Sequence, residues 1–198
     1  MTFWTYAGTT PKLKDRFVVK IGGELNLHVT SVDKPTLTFD NKEYKMINHH
    51  FKYPGLPKWN TIKMSFVDTT QNVGDNQDEE GAQVLQFLMM LEDAGYTNPS
   101  GNLVQASRGT GVGAGSVSKE ESIEALGQIQ IQQIGPWTPG GGDEKVKVVE
   151  EWTLINPIIK SLSFGSLAYG EDGAVEYTLE LDYDYAEYSA GHNILGSS

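Results

Sequence analysis

Between residues 34 and 68, KPTLTFDNKEYKMINHHFKYPGLPKWNTIKMSFVD, apolar and polar side chains alternate singly. A period of two commits such a stretch to strands with one dry and one wet face. Pro35 can open a strand but not sit inside one, and after it Leu37 and Phe39 alternate with Thr36, Thr38 and Asp40. Asp40, Asn41 and Lys42 supply turn chemistry. A second run, 43–53, sets Tyr44 and Met46 on one side. A third, 59–67, begins at Trp59 and alternates Ile62, Met64 and Phe66 with Thr61, Lys63 and Ser65. Pro54, Gly55, Leu56 and Pro57 force a turn between them, because proline fixes φ and glycine admits angles closed to other residues. Two or three strands folded back on one another are predicted.

The rest of the chain supplies partners. Alternation predicts strands over 17–21, 25–32, 128–134 and 145–156, the last ending where Asn156-Pro157 removes a ladder donor. Residues 158–164 fit a short helix or a strand. The longest strand, 175–188, carries Val175, Tyr177, Leu179, Leu181 and Tyr183 on one face and Glu176, Thr178, Glu180, Asp182 and Asp184 on the other. One helix of about 77–94 has Val84, Phe87, Leu88 and Leu91 as its apolar stripe, with Asn76 as its cap and Glu79 at the third helical position; the stripe is read as covering a sheet. Ser118 begins a shorter helix to 126, with Glu121 at the reciprocal capping position.

These elements make a mainly β fold: two sheets packed as a sandwich or open β-barrel, with one flanking helix. The 198 residues suit a single domain with an N-terminal arm, 1–14, made sticky by Phe3, Trp4 and Tyr6, and a Gly-rich insertion at 97–118. A long hairpin loop spans 136–144. Within the insertion, GTGVGA at 109–114 formally satisfies a dinucleotide pattern, but no buried strand precedes it and no helix directly follows it.

No constellation for catalysis is written here, and no cofactor or metal is expected. Cysteine is absent, which removes disulfides and thiolate sites and fits assembly in a reducing cytoplasm. His49 and His50 are adjacent and point to opposite faces of a strand, while His28 and His192 are isolated. The formal charge of −11 argues against a general nucleic-acid surface, and the acids concentrate late: residues 1–75 hold 10 basic and 7 acidic residues, residues 76–198 hold 5 and 19. No segment reaches membrane-spanning length and no signal sequence opens the chain, so no membrane partner is expected.

The order of short strand, acidic turn, long strand, Pro-Gly turn, Trp and alternating strand resembles the tail tube proteins of contractile-tailed phages. A second matching block is 150–166, EEWTLINPIIKSLSFGS, and the closing strand follows it. The resemblance implies a tail-tube-like structural subunit of a virion: a homo-hexamer stacking into a hollow tube, partnered by sheath and baseplate proteins, with DNA passing through without specific binding. It further implies an inter-subunit hairpin carrying Thr36, Thr38, Tyr44, Trp59, Thr61, Lys63 and Ser65. Proline at Thr61 or Ser65 would then stop ring formation while sparing the monomer. The acidic face of Glu176, Glu180, Asp182 and Asp184 is expected to line the lumen or, alternatively, to meet solvent or sheath. A baseplate tube initiator, a tail terminator and a secretion-system tube protein are related alternatives. From another class, a carbohydrate-binding β-sandwich would use exposed aromatics, for which Trp137 and Tyr169 are the candidates.

Overall fold

A computed structural model describes residues 11–26, 28–67, 83–96, 117–135, 147–170 and 173–190. The first ten residues of the arm, the Asn76 cap with Glu79, the Gly-rich insertion up to residue 116, the 136–144 loop with Trp137, and His192 lie outside the described residues.

Two antiparallel sheets face one another. The first runs in the order β13–β10–β9–β1–β2, with β1 Phe17–Ile21, β2 Glu24–Asn26, β9 Ile129–Ile134, β10 Val148–Ile155 and β13 Tyr185–Ser189. The second runs β11–β12–β8–β3, with β3 Val29–Val32, β8 Ile62–Val67, β11 Ile158–Ser163 and β12 Glu176–Asp182. Between them lie Val19, Ile129 and Leu154 from the first sheet and Ile62, Met64, Phe66, Leu179 and Leu181 from the second, all essentially without solvent contact. These are the alternate positions the sequence marks as dry. The layers form a sandwich with open edges rather than a closed barrel.

Helix α1, Gln83–Asp93, does cover the sheet: Phe87 is buried with its ring edge-on to Phe66, centroids 4.8 Å apart. Helix α2, Lys119–Leu126, makes a second helix beside the one flanking helix of the fold reading. Its cap Ser118 accepts a hydrogen bond from the Glu121 amide.

Three stretches change sheets, two of which, 25–32 and 175–188, read as continuous strands. The run 25–32 splits into β2 in the first sheet and β3 in the second. Residues 148–163 pass from β10 to β11 through Asn156, whose φ of 54° turns the chain at the predicted Asn-Pro break. The 175–188 run is likewise two strands, β12 in the second sheet and β13 in the first, joined at Tyr183 and Asp184.

The 34–68 stretch departs furthest from its reading. Strand β8 is not an outer element but the centre of the second sheet, paired on one side to β12 and on the other to β3. Residues 37–59 form a single long hairpin of two ladders, β4 Leu37–Phe39 with β7 Pro57–Trp59, and β5 Lys42–Met46 with β6 His49–Tyr53. Its turn falls at Ile47-Asn48, inside the supposed second strand. The two supposed turns, at Asp40 and at Pro54–Leu56, instead face each other across the hairpin, where the Asp40 amide bonds the Leu56 carbonyl at 3.3 Å. Gly55 is needed there because a Cβ would stand 1.5 Å from the Asp40 carbonyl oxygen.

Candidate assembly surface

Four surfaces stand out, three of them carrying residues singled out from the sequence. The first is the hairpin arm. Every residue of β4, β5 and β6 is exposed. On one face of the outer ladder Tyr44 lies opposite Phe51 and Met46 opposite His49, with Tyr53 following; on the other Glu43 faces Lys52 and Lys45 faces His50. The first face is oily and packs on nothing among the described residues. An isolated two-stranded hairpin is marginal in water, and an exposed apolar face of this kind calls for a cover. Near the root Thr38 donates to the Lys58 carbonyl at 3.2 Å, and Trp59 sets its ring against Tyr183, 6.0 Å between centroids. Trp59 therefore fixes the arm to its own body and the Thr36 carbonyl accepts from the Asn60 amide at 3.0 Å at the root, while Thr38 and Tyr44 belong to the projecting part.

The other three hairpin residues of the sequence reading lie outside the arm. Lys63 and Ser65 are on β8, whose backbone pairing is used up within the chain. The Thr61 hydroxyl donates to Asp182 at 2.6 Å and accepts from Lys160 at 2.7 Å. These three sit instead on the outward face of the second sheet.

That face is the second surface. Glu176, Thr178, Glu180 and Asp182 project from β12 as the alternation requires, with Leu179 and Leu181 buried behind them. The carboxylates do not repel unopposed. Lys63 lies 3.6 Å from Glu180, and Lys160 lies 3.7 Å from Asp182. Asp184 belongs elsewhere, at the crossing between sheets. Hydrogen bonds from Lys119, at 2.7 and 2.8 Å, and from Asn156, at 2.7 Å, hold its carboxyl below the usual carboxylate range. The face thus alternates in sign, and each half-exposed pair is worth about 0–1 kcal/mol.

The third surface was missed by the sequence reading. Glu150, on β10, is nearly buried in the mouth of a cavity of about 580 Å³ between the sheets. Burial pushes its carboxyl up; hydrogen bonds from Lys12, from Lys34 at 2.8 Å and from the Trp152 indole at 2.7 Å outweigh that and bring it to about 2. Lys34 also donates to Gln133 at 2.7 Å. The signal available in the sequence was parity: Glu150 stands between Val148 and Trp152 on what should be a dry face. A folded-state value below the unfolded one stabilises at pH above about 4.5 and loses that contribution as pH falls toward 2. The expected size is about 2 kcal/mol, reduced from about 3 because both lysines are half exposed. Glu150→Gln should remove the extra steepness of acid unfolding between pH 4.5 and 2, measured by circular dichroism.

The fourth is the loop joining β11 to β12, where Phe164, Leu167 and Tyr169 are exposed and Leu167 lines a concavity of about 330 Å³.

His49 and His50 sit on β6 as read, and no three metal-ligating side chains converge among the described residues. Nor is any helix among them long and apolar enough to cross a membrane.

No protein-family model matches the chain, and no curated protein matches it in sequence. Solved structures do share its fold. A chain of the sheath/tube terminator of an extracellular contractile injection system aligns at TM-score 0.55 and 18% identity, over 93% of this chain and 100% of that one. A chain of the six-fold symmetrised anti-feeding prophage baseplate aligns at 0.54 and 14%, over 92% and 97%. A chain of the extracellular injection system's sheath–tube complex aligns at 0.53 and 17%, over 96% and 99%. The fold is tail-tube-like over nearly the whole chain.

Proposed function

We propose that the protein is a structural subunit of the tube of a contractile tail or injection device, forming hexameric rings around a channel and acting without catalysis. The observation that carries the reading is the arm. A chain whose body is closed by two packed sheets projects an oily, basic hairpin that nothing among the described residues covers, and another subunit of a ring or stack is the natural cover. The fold is shared with chains from sheath–tube, terminator and baseplate structures, one of them symmetrised six-fold. Sheath and baseplate proteins are the corresponding partners, and a tail assembled before release from a host is the setting. A terminator or initiator role differs in one readout. Purified main tube subunits stack into long tubes, whereas end subunits stop at single rings or short stacks, and negative-stain images separate these from a monomer, which would overturn the proposal.

In this reading the outward face of the second sheet lines the channel. Its lysine-paired carboxylates offer phosphate no net positive wall to bind, so a DNA polymer would slide. Glu180→Lys with Asp182→Lys would set new positive charges beside Lys63 and Lys160. Assembled tubes should then retain DNA fragments at low salt and release them as salt rises, read by gel retardation. Retention unchanged from the parent would remove this face from the channel.

A further inference from the structure

The arm and the β11–β12 loop stand at opposite ends of the same sheet. The arm leaves β3 after Val32 and returns into β8 before Ile62, the end where Ile62 pairs with Leu181 and Ile158 with Asp182. The loop closes the far end, where Ser163 pairs with Thr178 and Val67 with Glu176. One molecule cannot bring the two together, because the sheet between them is about 20 Å long.

Each end lacks what the other has. At the arm's tip Ile47 is 95% exposed with φ 53°, a left-handed conformation that a β-branched residue adopts only under strain. Leu56 is 83% exposed beside the arm's central break. The loop presents Leu167, 86% exposed in the wall of its concavity, and close to it in sequence a fully exposed Tyr169. Charge agrees with shape. Residues 36–60 hold four lysines and two acids, leaving −13 on the rest of the chain, and the sequence from 164 to 176 has Glu171, Asp172 and Glu176 with no basic residue.

We infer that the arm's tip docks on the β11–β12 loop of a second copy, with Ile47 seated in the concavity beside Leu167 and Val175 and the arm's lysines toward the acidic loop. The contact is head-to-tail: each copy gives an arm at one end and a loop at the other, so the association has no built-in stop and runs along the strand direction. This rests on the tube reading and deepens it, since it names which surface of the neighbour takes the arm.

The absence of native cysteine makes the test direct. Ile47→Cys and Leu167→Cys in one chain, oxidised at assembly concentration, should give a ladder of covalent multimers on denaturing gels, whereas either substitution alone should give no ladder. Ile47→Asp should leave rings intact in negative stain and abolish their stacking, with release of stacks at high salt in the parent. Rings or tubes that form normally without a 47–167 ladder, or cross-linking of the single Ile47→Cys variant to itself, would overturn the docking and leave the ring reading standing. A protein that stays monomeric throughout would overturn both.

Discussion

Proline at position 65 should abolish folding, not merely assembly. Ser65 is the midpoint of β8, opposite Thr178 on one flank and Ser31 on the other. A proline there deletes a ladder donor in the middle of a sheet and its ring crowds the neighbouring strand. The loss is a large fraction of a stability that for such a domain is about 5–15 kcal/mol. The sequence alone pointed the other way, to a monomer that survives and a ring that fails. Far-UV circular dichroism and soluble yield distinguish them: a well-folded Ser65→Pro monomer would mean that β8 is not central.

The opposite outcome is expected from excising the arm's outer ladder, residues 42–53, and joining Asn41 to Pro54. All ten residues of β5 and β6 are exposed, and among the described residues their ladder pairs only with itself. Their removal should shift folding stability by no more than about 0.5 kcal/mol, as for surface changes generally. Assembly should be lost outright, since the oily face of Tyr44, Met46, Phe51 and Tyr53 goes with them. Sizing chromatography reads the effect as a collapse to monomer or isolated rings with an unchanged melting temperature. Tubes of normal length from the shortened chain would show that the arm carries no contact between subunits.

Where burial on one face dictates the pattern, the sequence was readable: the cores of β1, β8, β9, β10 and β12 fall on the expected residues, and Ser118 caps α2. Changes of sheet were not readable. Both sheets turn their inner faces to one core, so an apolar residue at every second position satisfies either sheet, and parity carries no mark of the partner. Asn156 gave the one local clue, being the residue type best able to take φ above zero before a proline. The arm defeated the reading for another reason. Its turn uses Ile47, against turn chemistry, while Pro54-Gly55 and Asp40-Asn41, which look like turns, serve as opposed irregularities. A residue that breaks the local rule stands where a neighbour's contact would compensate it. Of the acidic face, the side of the strand was legible; the lysines that answer it come from β8, β11 and α2, positions no single-strand pattern could bring together.

The carboxylate of Glu150 ties two roots at once. Lys12 lies in the N-terminal arm and Lys34 just precedes the hairpin, and both reach one oxygen pair on β10, the strand held between β9 and β13. The hairpin's backbone issues from the second sheet, yet the lysine before it is moored to the first. The base of the hairpin is therefore anchored in both layers of the sandwich, by backbone to one and by a lysine side chain to the other.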